Sequence, residues 1–440
     1  MRSPSPAVAV AAAGAAALVV YGVITATRSL DTNEAVAAVS AAGALSDVAG
    51  RALEHDPGQT AHRLVLGLLG GPGRPEWILR LPSALAVLAA AAGVAWMART
   101  LRGRLAGIGA AGALLLLAGV AEISQLVRPY ALGLAALAFV SALFAVAMSG
   151  NGTFPWVAYA LAGAALPLTH PLAAAIIPVH VATLVVDRGV SRSRLAAPAI
   201  ALVVVVAGLL AAASVVDRLD AVGDGDVSTR SLAAGTAAAG GWNAATVALA
   251  AWGVFLLTAA ARRDRHARWP AVLVAGTILA PPAVLLAAAA AVPVFPRHAL
   301  TLAAPGLCVA AGIGLAALHG RLAMASAAVV VAASAAAITL TALNGSEGGW
   351  RAAVEAVQTG RGQTETVVVV PERAGAALAY YAPTQRIHRQ ARGEGVWVFV
   401  GGARVSAIER ARRVVATPRY ALLEERPFGD DLVLQHWTRP

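Results

Sequence analysis

The stretch EWILRLPSALAVLAAAAGVAWMARTL, residues 76–101, decides the fold class. Its apolar centre, residues 79–98, has the length at which a helix crosses a hydrocarbon layer of about 30 Å, and Arg99 and Arg102 follow it directly. Similar spans recur along the chain at 7–27, 105–121, 130–148, 154–169, 172–186, 197–216, 243–261, 270–292, 298–318 and 322–342. The sequence therefore predicts an α-helical polytopic membrane protein with about eleven transmembrane helices.

Composition supports this class. The 440 residues are 58% hydrophobic and 13% charged, with a mean hydropathy of +0.71, whereas soluble domains are nearer half apolar and a quarter charged. The net charge of +11 does not indicate a nucleic-acid partner, because the arginines cluster at the ends of apolar spans. The only cysteine, Cys308, excludes an intrachain disulfide.

The arginines also predict the orientation. Loops that fall on one side of the predicted membrane carry Arg99, Arg102, Arg104, Arg188, Arg192, Arg194, Arg262, Arg263, Arg265, Arg268 and Arg321. By the positive-inside rule this side is cytoplasmic, as is the N-terminus. The opposite loops, 28–78 and 217–230, hold most of the acidic residues that precede residue 344. The first span fits an uncleaved helix better than a signal peptide, because its apolar stretch is long.

The character of the chain changes at residue 344. We predict a transmembrane domain over 1–343, with outer loop 28–78 carrying the active site, and a small extracytoplasmic α/β domain over 344–440. In the second domain, 366–370 (TVVVV) and 396–400 (VWVFV) are predicted strands, and 373–381 is a predicted helix. Its aromatic residues are expected to be core residues.

Unusual polar residues fall on the predicted outer side of the membrane. They are Asp31, Glu34, Arg128, Tyr130, His170, Arg297 and His298. A carboxylate near the membrane surface can act as a general base or bind a divalent metal. The arginine guanidinium binds phosphate through two parallel hydrogen bonds and stays charged. This grouping suits transfer of a group from a lipid phosphate, with arginine stabilising the departing phosphate.

Each of these residues also has a purely structural interpretation. Arginines at helix ends often extend to lipid headgroups, and a histidine before proline is often a polar helix end. The sequence Asp31-Thr-Asn-Glu34 has the spacing of a helix capping box, with Asp in place of Ser or Thr. Glu122, near the outer end of its span, fits either interpretation.

Three motifs occur in a characteristic order: RLPSAL at 80–85, RPYAL at 128–132 and FPRH at 295–298. With these motifs the chain resembles, nearly from end to end, the bacterial GT-C glycosyltransferases, in particular the mannosyltransferase-like branch related to protein O-mannosyltransferases. The resemblance implies inverting transfer from a polyprenyl-phosphate sugar to a glycan or protein acceptor. It also implies a catalytic base in the first outer loop, with or without a divalent metal such as Mg²⁺ or Mn²⁺.

The chain departs from the family pattern in that loop. Asn33 stands where the family has an aspartate, so Asp31 or Glu34 would have to act as the base. The family's tyrosine after the late arginine is replaced by His298. Arg128 and Arg297 are predicted to hold the donor phosphate. Further residues expected to line the site are Asn33, Asp56, Tyr130, His170 and His298.

Three functions follow from these observations. The first is a multi-pass glycosyltransferase of the bacterial plasma membrane, transferring a mannose-like sugar to a cell-envelope acceptor. The second, which Asn33 motivates, is an inactive GT-C-like protein that binds lipid-linked sugars. The third, a transporter, is less favoured because the sequence shows no clear internal repeat and its ionisable residues sit near helix ends.

Overall fold

A computed structural model describes residues 5–26, 28–150, 152–187, 199–200, 202–204, 206, 243–291, 297–344, 349–362, 364–401, 405–415, 420–428 and 432–440. The chain forms two compact units. The first comprises residues 1–24, 49–62 and 81–343, and the second comprises 25–48, 63–80 and 344–440. The second unit thus combines most of the first predicted outer loop with the C-terminal region.

Up to residue 344, the described residues form mainly helices. In chain order they are α1 (Pro6–Thr25), α2 (Thr32–Ser40), α3 (Leu45–His55), α4 (Thr60–Leu68), α5 (Glu76–Arg102), α6 (Arg104–Leu115), α7 (Ala118–Ser124), α8 (Tyr130–Ser149), α9 (Phe154–Ala164), α10 (Leu166–Thr169), α11 (Ile177–Val186), α12 (Ala244–Arg263), α13 (Arg268–Ala291), α14 (Ala304–Ala317) and α15 (Gly320–Asn344). Short 3-10 helices span Pro57–Gln59, Pro171–Ile176, Arg265–Ala267 and Arg297–Ala303.

Among the described residues, seven helical segments are long and apolar enough to cross a membrane, or eight if α6 and α7 form one span bent by 68°. Two shorter apolar helical segments cover Phe154–Thr169 and Pro171–Val186. The prediction of a helical polytopic membrane protein is confirmed, whereas the count of eleven stays a prediction. Most of the predicted span 197–216, all of loop 217–230 and the arginines at 188–194 lie outside the described residues.

Glycines let helix α14 pack against its neighbours at very short range. A Cβ atom added to Gly312 would lie 2.4 Å from the carbonyl oxygen of Ala106, and one added to Gly314 would lie 2.2 Å from that of Leu249. No side chain fits at such distances. Accordingly, 94% of the residues in the most apolar 18-residue window of His298–Ala317 are buried, a larger share than in any other apolar span among the described residues.

The C-terminal region of the second unit contains α16 (Trp350–Gly360), β1 (Thr366–Val370), a 3-10 turn at Glu372–Ala374, α17 (Gly375–Tyr381), β2 (Gly395–Gly401), α18 (Val405–Val415), β3 (Ala421–Phe428) and β4 (Leu432–Thr438). The strand order is β1-β2-β4-β3. Strands β1 and β2 are parallel, and the other pairs are antiparallel.

The expected small α/β fold is confirmed, including both predicted strands. The predicted helix at 373–381 is a 3-10 turn followed by α17. Every residue of β2 is buried, which explains its continuous apolar run. Strands β3 and β4 were not predicted. Strand β3 carries Glu424, Glu425 and Arg426 and is largely exposed at the edge of the sheet, so it shows no continuous apolar run.

Candidate functional site

The two proposed catalytic carboxylates lie at the start of α2, in the second unit. The Glu34 backbone N–H donates to Asp31 Oδ1 (2.8 Å), and the Asp31 backbone N–H donates to Glu34 Oε2 (2.9 Å). These reciprocal bonds form a capping box that satisfies two N–H groups at the helix start. The structural interpretation of this motif therefore holds, and any chemical role would have to coexist with it. Asn33, between them, is exposed.

The Arg80 side chain donates hydrogen bonds to the backbone of the segment that precedes α2. Its Nη1 donates to the carbonyl oxygens of Thr25 (3.1 Å) and Arg28 (2.9 Å), and its Nη2 lies 4.0 Å from Glu34 Oε2. Arg80 and Glu34 are only 4% and 3% exposed. Because a buried charge is costly unless it is paired and hydrogen-bonded, we infer that Arg80 and Glu34 stabilise each other.

Residues from α17 and α16 hold the same segment. The hydroxyl of Tyr381 accepts from the backbone N–H of Leu30 (2.6 Å) and donates to Glu76 Oε1 (3.2 Å). Glu76 also forms an ion pair with Arg351, and the hydrogen bond in that pair is the main cause that raises the pKa of the Arg351 guanidinium. The segment before α2 is thus fixed by a chain of polar contacts.

Trp350 completes these contacts. Its indole Nε1 donates to Thr32 Oγ1 (3.1 Å), and its ring stacks on Phe399 of β2 with centroids 5.6 Å apart. The buried side chain of Trp350 therefore joins the first turn of α2 to the sheet of the same unit.

The first unit brings three other predicted residues together. The Tyr130 ring, at the start of α8, lies 5.2 Å from the His170 ring and 5.5 Å from the His298 ring, measured between centroids. His170 precedes the 3-10 helix Pro171–Ile176, and its Nδ1 accepts from the backbone N–H of Leu172 (3.3 Å). Hence His170 also acts as a helix cap.

His298 has a carboxylate neighbour. Its Nδ1 lies 3.8 Å from Oε2 of Glu122, a residue of α7 whose side chain is 19% exposed. The sequence left the role of Glu122 open, and the structure places it beside a predicted site residue. An imidazole beside a carboxylate can bind a polar ligand or transfer a proton.

The remaining predicted residues are more dispersed. Arg128 is partly buried and stands two residues before Tyr130. Asp56 precedes the 3-10 helix Pro57–Gln59 and accepts a hydrogen bond from the Gln59 side chain. Arg297 begins the 3-10 helix that contains His298; its side chain, with residues 295 and 296, lies outside the described part of the structure.

Sequence reasoning missed Arg80, Glu76 and Tyr381 as partners of the first loop. Arg80 did carry a signal, because an arginine among apolar residues is costly and usually has a specific partner. Glu76 and Tyr381 gave none, because they lie 305 positions apart in the chain. Within the described ranges, no group of three or more His, Cys, Asp or Glu could hold a metal ion.

No protein-family model matches the sequence, and no curated protein matches it. Solved structures of other proteins do match this chain. ArnT from Cupriavidus metallidurans in the apo state aligns with a TM-score of 0.62 at 14% identity, over 96% of both chains. The same protein bound to undecaprenyl phosphate gives 0.56 at 13% identity, again over 96% of both chains.

An archaeal neighbour has the same arrangement. The oligosaccharyltransferase AglB from Archaeoglobus fulgidus, in complex with an inhibitory peptide and a dolichol-phosphate, aligns with a TM-score of 0.51 at 11% identity, over 88% of this chain and 69% of that one. At such identities the likeness concerns the fold. The chain therefore shares its fold with ArnT and AglB.

Proposed function

We propose that this protein is a membrane glycosyltransferase that moves a sugar from a polyprenyl-phosphate donor to a glycan or protein acceptor of the cell envelope. The observation that carries the proposal is the fold shared with ArnT over 96% of both chains. Both ArnT and AglB have been solved with a polyprenyl-type lipid phosphate bound. A mannose-like sugar and the extracytoplasmic face of a bacterial plasma membrane follow from the sequence resemblance and the arginine distribution.

The proposed roles distribute the chemistry over named side chains. Glu34 or Asp31 takes the proton of the acceptor hydroxyl, and Arg128 and Arg297 bind the phosphate that departs with the lipid. The capping bonds engage Asp31 Oδ1 and Glu34 Oε2. Tyr130, His170 and His298 would line the site, with Asn33 and Asp56 as further lining residues.

The test measures transfer of label from radiolabelled polyprenyl-phosphate sugars, mannose first, by membranes that contain the protein. The informative variants are Glu34→Gln and Asp31→Asn, because each removes a carboxylate but keeps side-chain oxygen for the capping box. We expect the variant at the base to lose about 100-fold or more in rate, the size of a general-base contribution. Undiminished transfer by the double variant would contradict both assignments.

Metal dependence is tested in the same assay. If a divalent ion assists the reaction, EDTA lowers the rate of the wild type and Mg²⁺ or Mn²⁺ restores it. A rate that is the same in EDTA and in either metal would assign the chemistry to the protein side chains alone.

A specific observation favours a second function, in which the protein binds a lipid-linked sugar without transferring it. Asn33 occupies the position of the family's aspartate and is exposed, while Glu34 is buried in the capping box. On this alternative, the wild type binds the donor but transfers none, and Asn33→Asp gains activity. Robust transfer by the wild type would exclude it.

A further inference from the structure

We propose that Tyr381 is a positioning residue: its hydroxyl, supported by Glu76 and Arg351, fixes the backbone from which Asp31 and Glu34 project. The inference rests on the proposed function, because it assigns a catalytic purpose to that segment. It goes beyond that function in giving the C-terminal α/β region a direct part in setting the geometry of the proposed base.

The contact is made at the residue immediately before the helix cap. Tyr381 Oη lies 2.6 Å from the backbone nitrogen of Leu30, which is fully buried. Asp31, the next residue, is the N-cap of α2. Because consecutive Cα atoms are held 3.8 Å apart by a planar peptide, anchoring the Leu30 nitrogen restricts where Asp31 and the capping box can lie.

The phenol is itself held in one orientation. It accepts from Leu30 and donates to Glu76 Oε1 at 3.2 Å, so both its donor and its acceptor functions are used. Glu76 is in turn paired with Arg351. Burial, together with the negative charge of Glu76, raises the pKa of Tyr381 above its usual range, although the Leu30 N–H opposes this. The hydroxyl therefore keeps its proton at neutral pH.

The neighbouring tyrosine offers a matched control. Tyr380 lies on the same helix, and its hydroxyl donates to the carbonyl oxygen of Arg74. It thus belongs to the same unit and loses the same atom in a Tyr→Phe change, but its partner is not next to Asp31. A merely structural role for these hydroxyls would give the two variants similar effects on α2.

The experiment compares the full-length wild type, Tyr381→Phe and Tyr380→Phe. Hydrogen–deuterium exchange of peptides covering residues 28–41 reports order in the segment, and transfer of label from polyprenyl-phosphate sugars gives kcat and KM. For Tyr381→Phe we expect exchange of this segment to become about threefold to tenfold faster, as for loss of one hydrogen bond. We also expect kcat to fall by a similar factor while the donor KM stays within about twofold. Tyr380→Phe should leave both quantities near wild type.

The outcomes separate the two proposals. Unchanged exchange in Tyr381→Phe overturns the positioning role, whatever the activity. Faster exchange with unchanged kcat overturns its catalytic purpose. If the wild type transfers no sugar from any donor, the proposed function fails, and the exchange measurement still decides whether Tyr381 orders the segment. Equal effects of both tyrosine variants on exchange would also overturn the assignment, because they would indicate general packing.

Discussion

The two groups of predicted site residues are built in different ways. Around Asp31 and Glu34, in the second unit, polar atoms are matched by reciprocal hydrogen bonds and by the guanidinium of Arg80. Around Tyr130, in the first unit, the contacts are between rings about 5 Å apart, with one carboxylate beside His298. Directional bonds fix a segment in one geometry, whereas ring contacts of this kind tolerate small shifts.

The difference has a consequence for function. A network of directional hydrogen bonds suits a group that must be held in place for proton transfer. A cluster of aromatic and imidazole rings suits a surface that must accept a ligand and release it. We therefore infer that the Asp31–Glu34 segment is the more rigid of the two and that the Tyr130 cluster is the more adaptable.

The largest effect is expected at Arg80. The change Arg80→Leu removes the guanidinium that lies beside the buried carboxylate of Glu34 and donates to two backbone carbonyls. Breaking a buried charged pair by removing one partner costs about 3–5 kcal/mol. We expect a large fall in thermal stability in detergent and a low yield of folded protein. Arg80→Lys is the control, because it keeps the charge but loses the planar fork.

The Lys variant should recover part of the stability. If Arg80→Leu and Arg80→Lys are both as stable as the wild type, Arg80 does not hold the segment, and the contrast with the Tyr130 cluster loses its main support. Adding Glu34→Gln to Arg80→Leu should restore some of the lost stability, because a neutral amide no longer needs a cation.

A smaller effect is expected in the Tyr130 cluster. A Cβ atom added to Gly133, one turn along α8 from Tyr130, would lie 2.5 Å from the Cβ of His170. Gly133→Ala therefore has to move His170, and such overpacking costs about 1–3 kcal/mol. We expect a lower melting temperature and weaker donor binding, seen as a higher KM. If instead the variant matched the wild type in both, the ring cluster would be looser than the structure indicates.

The matched control is Gly50→Ala in the same unit. Gly50 is inside α3, and an added Cβ meets no atom within 4 Å. Because alanine favours the helix by up to about 1 kcal/mol over glycine, this variant should be as stable as the wild type or more so. A loss of stability there would show that the assay does not separate steric conflict from other effects.

The parts of the structure that the sequence could predict are those with local signals. The helices of the first unit follow from the length of apolar runs, and β1 and β2 follow from short runs rich in valine. The capping box follows from the spacing of Asp31 and Glu34. Each of these signals is local, since it depends on residues within one helix or strand.

Contacts between distant parts of the chain could not be predicted. The bond from Leu30 to Tyr381 joins residues 351 positions apart, and the tyrosine was expected only to be a core aromatic. The proximity of Tyr130, His170 and His298 was foreseen only as a shared side of the membrane. Strand β3 was missed because its charged residues sit on an exposed sheet edge, where burial does not impose an apolar pattern.

The smallest effect is expected from the alkaline titration of Tyr380. Burial, together with the negative charge of Glu76, raises the pKa of this phenol to about 12, while Arg80 and Arg351 oppose the shift. An unfolded tyrosine has a pKa of about 10, so the folded protein binds this proton more tightly. The resulting stabilisation is fully present below pH 10 and is lost as the pH rises through 12. We therefore expect this group to make the stability independent of pH near neutrality and to lower it only as the pH rises above 10.

The tyrosinate absorbance near 295 nm measures this directly. The difference between wild type and Tyr380→Phe should show one phenol titrating at about pH 12, provided that the protein remains folded. If that phenol titrated near pH 10, Tyr380 would be hydrated and its bond to the Arg74 carbonyl would be absent in solution. The hydrogen-bonded network of the second unit would then be less rigid around Tyr380. The contrast with the Tyr130 cluster would be confined to the residues around Arg80.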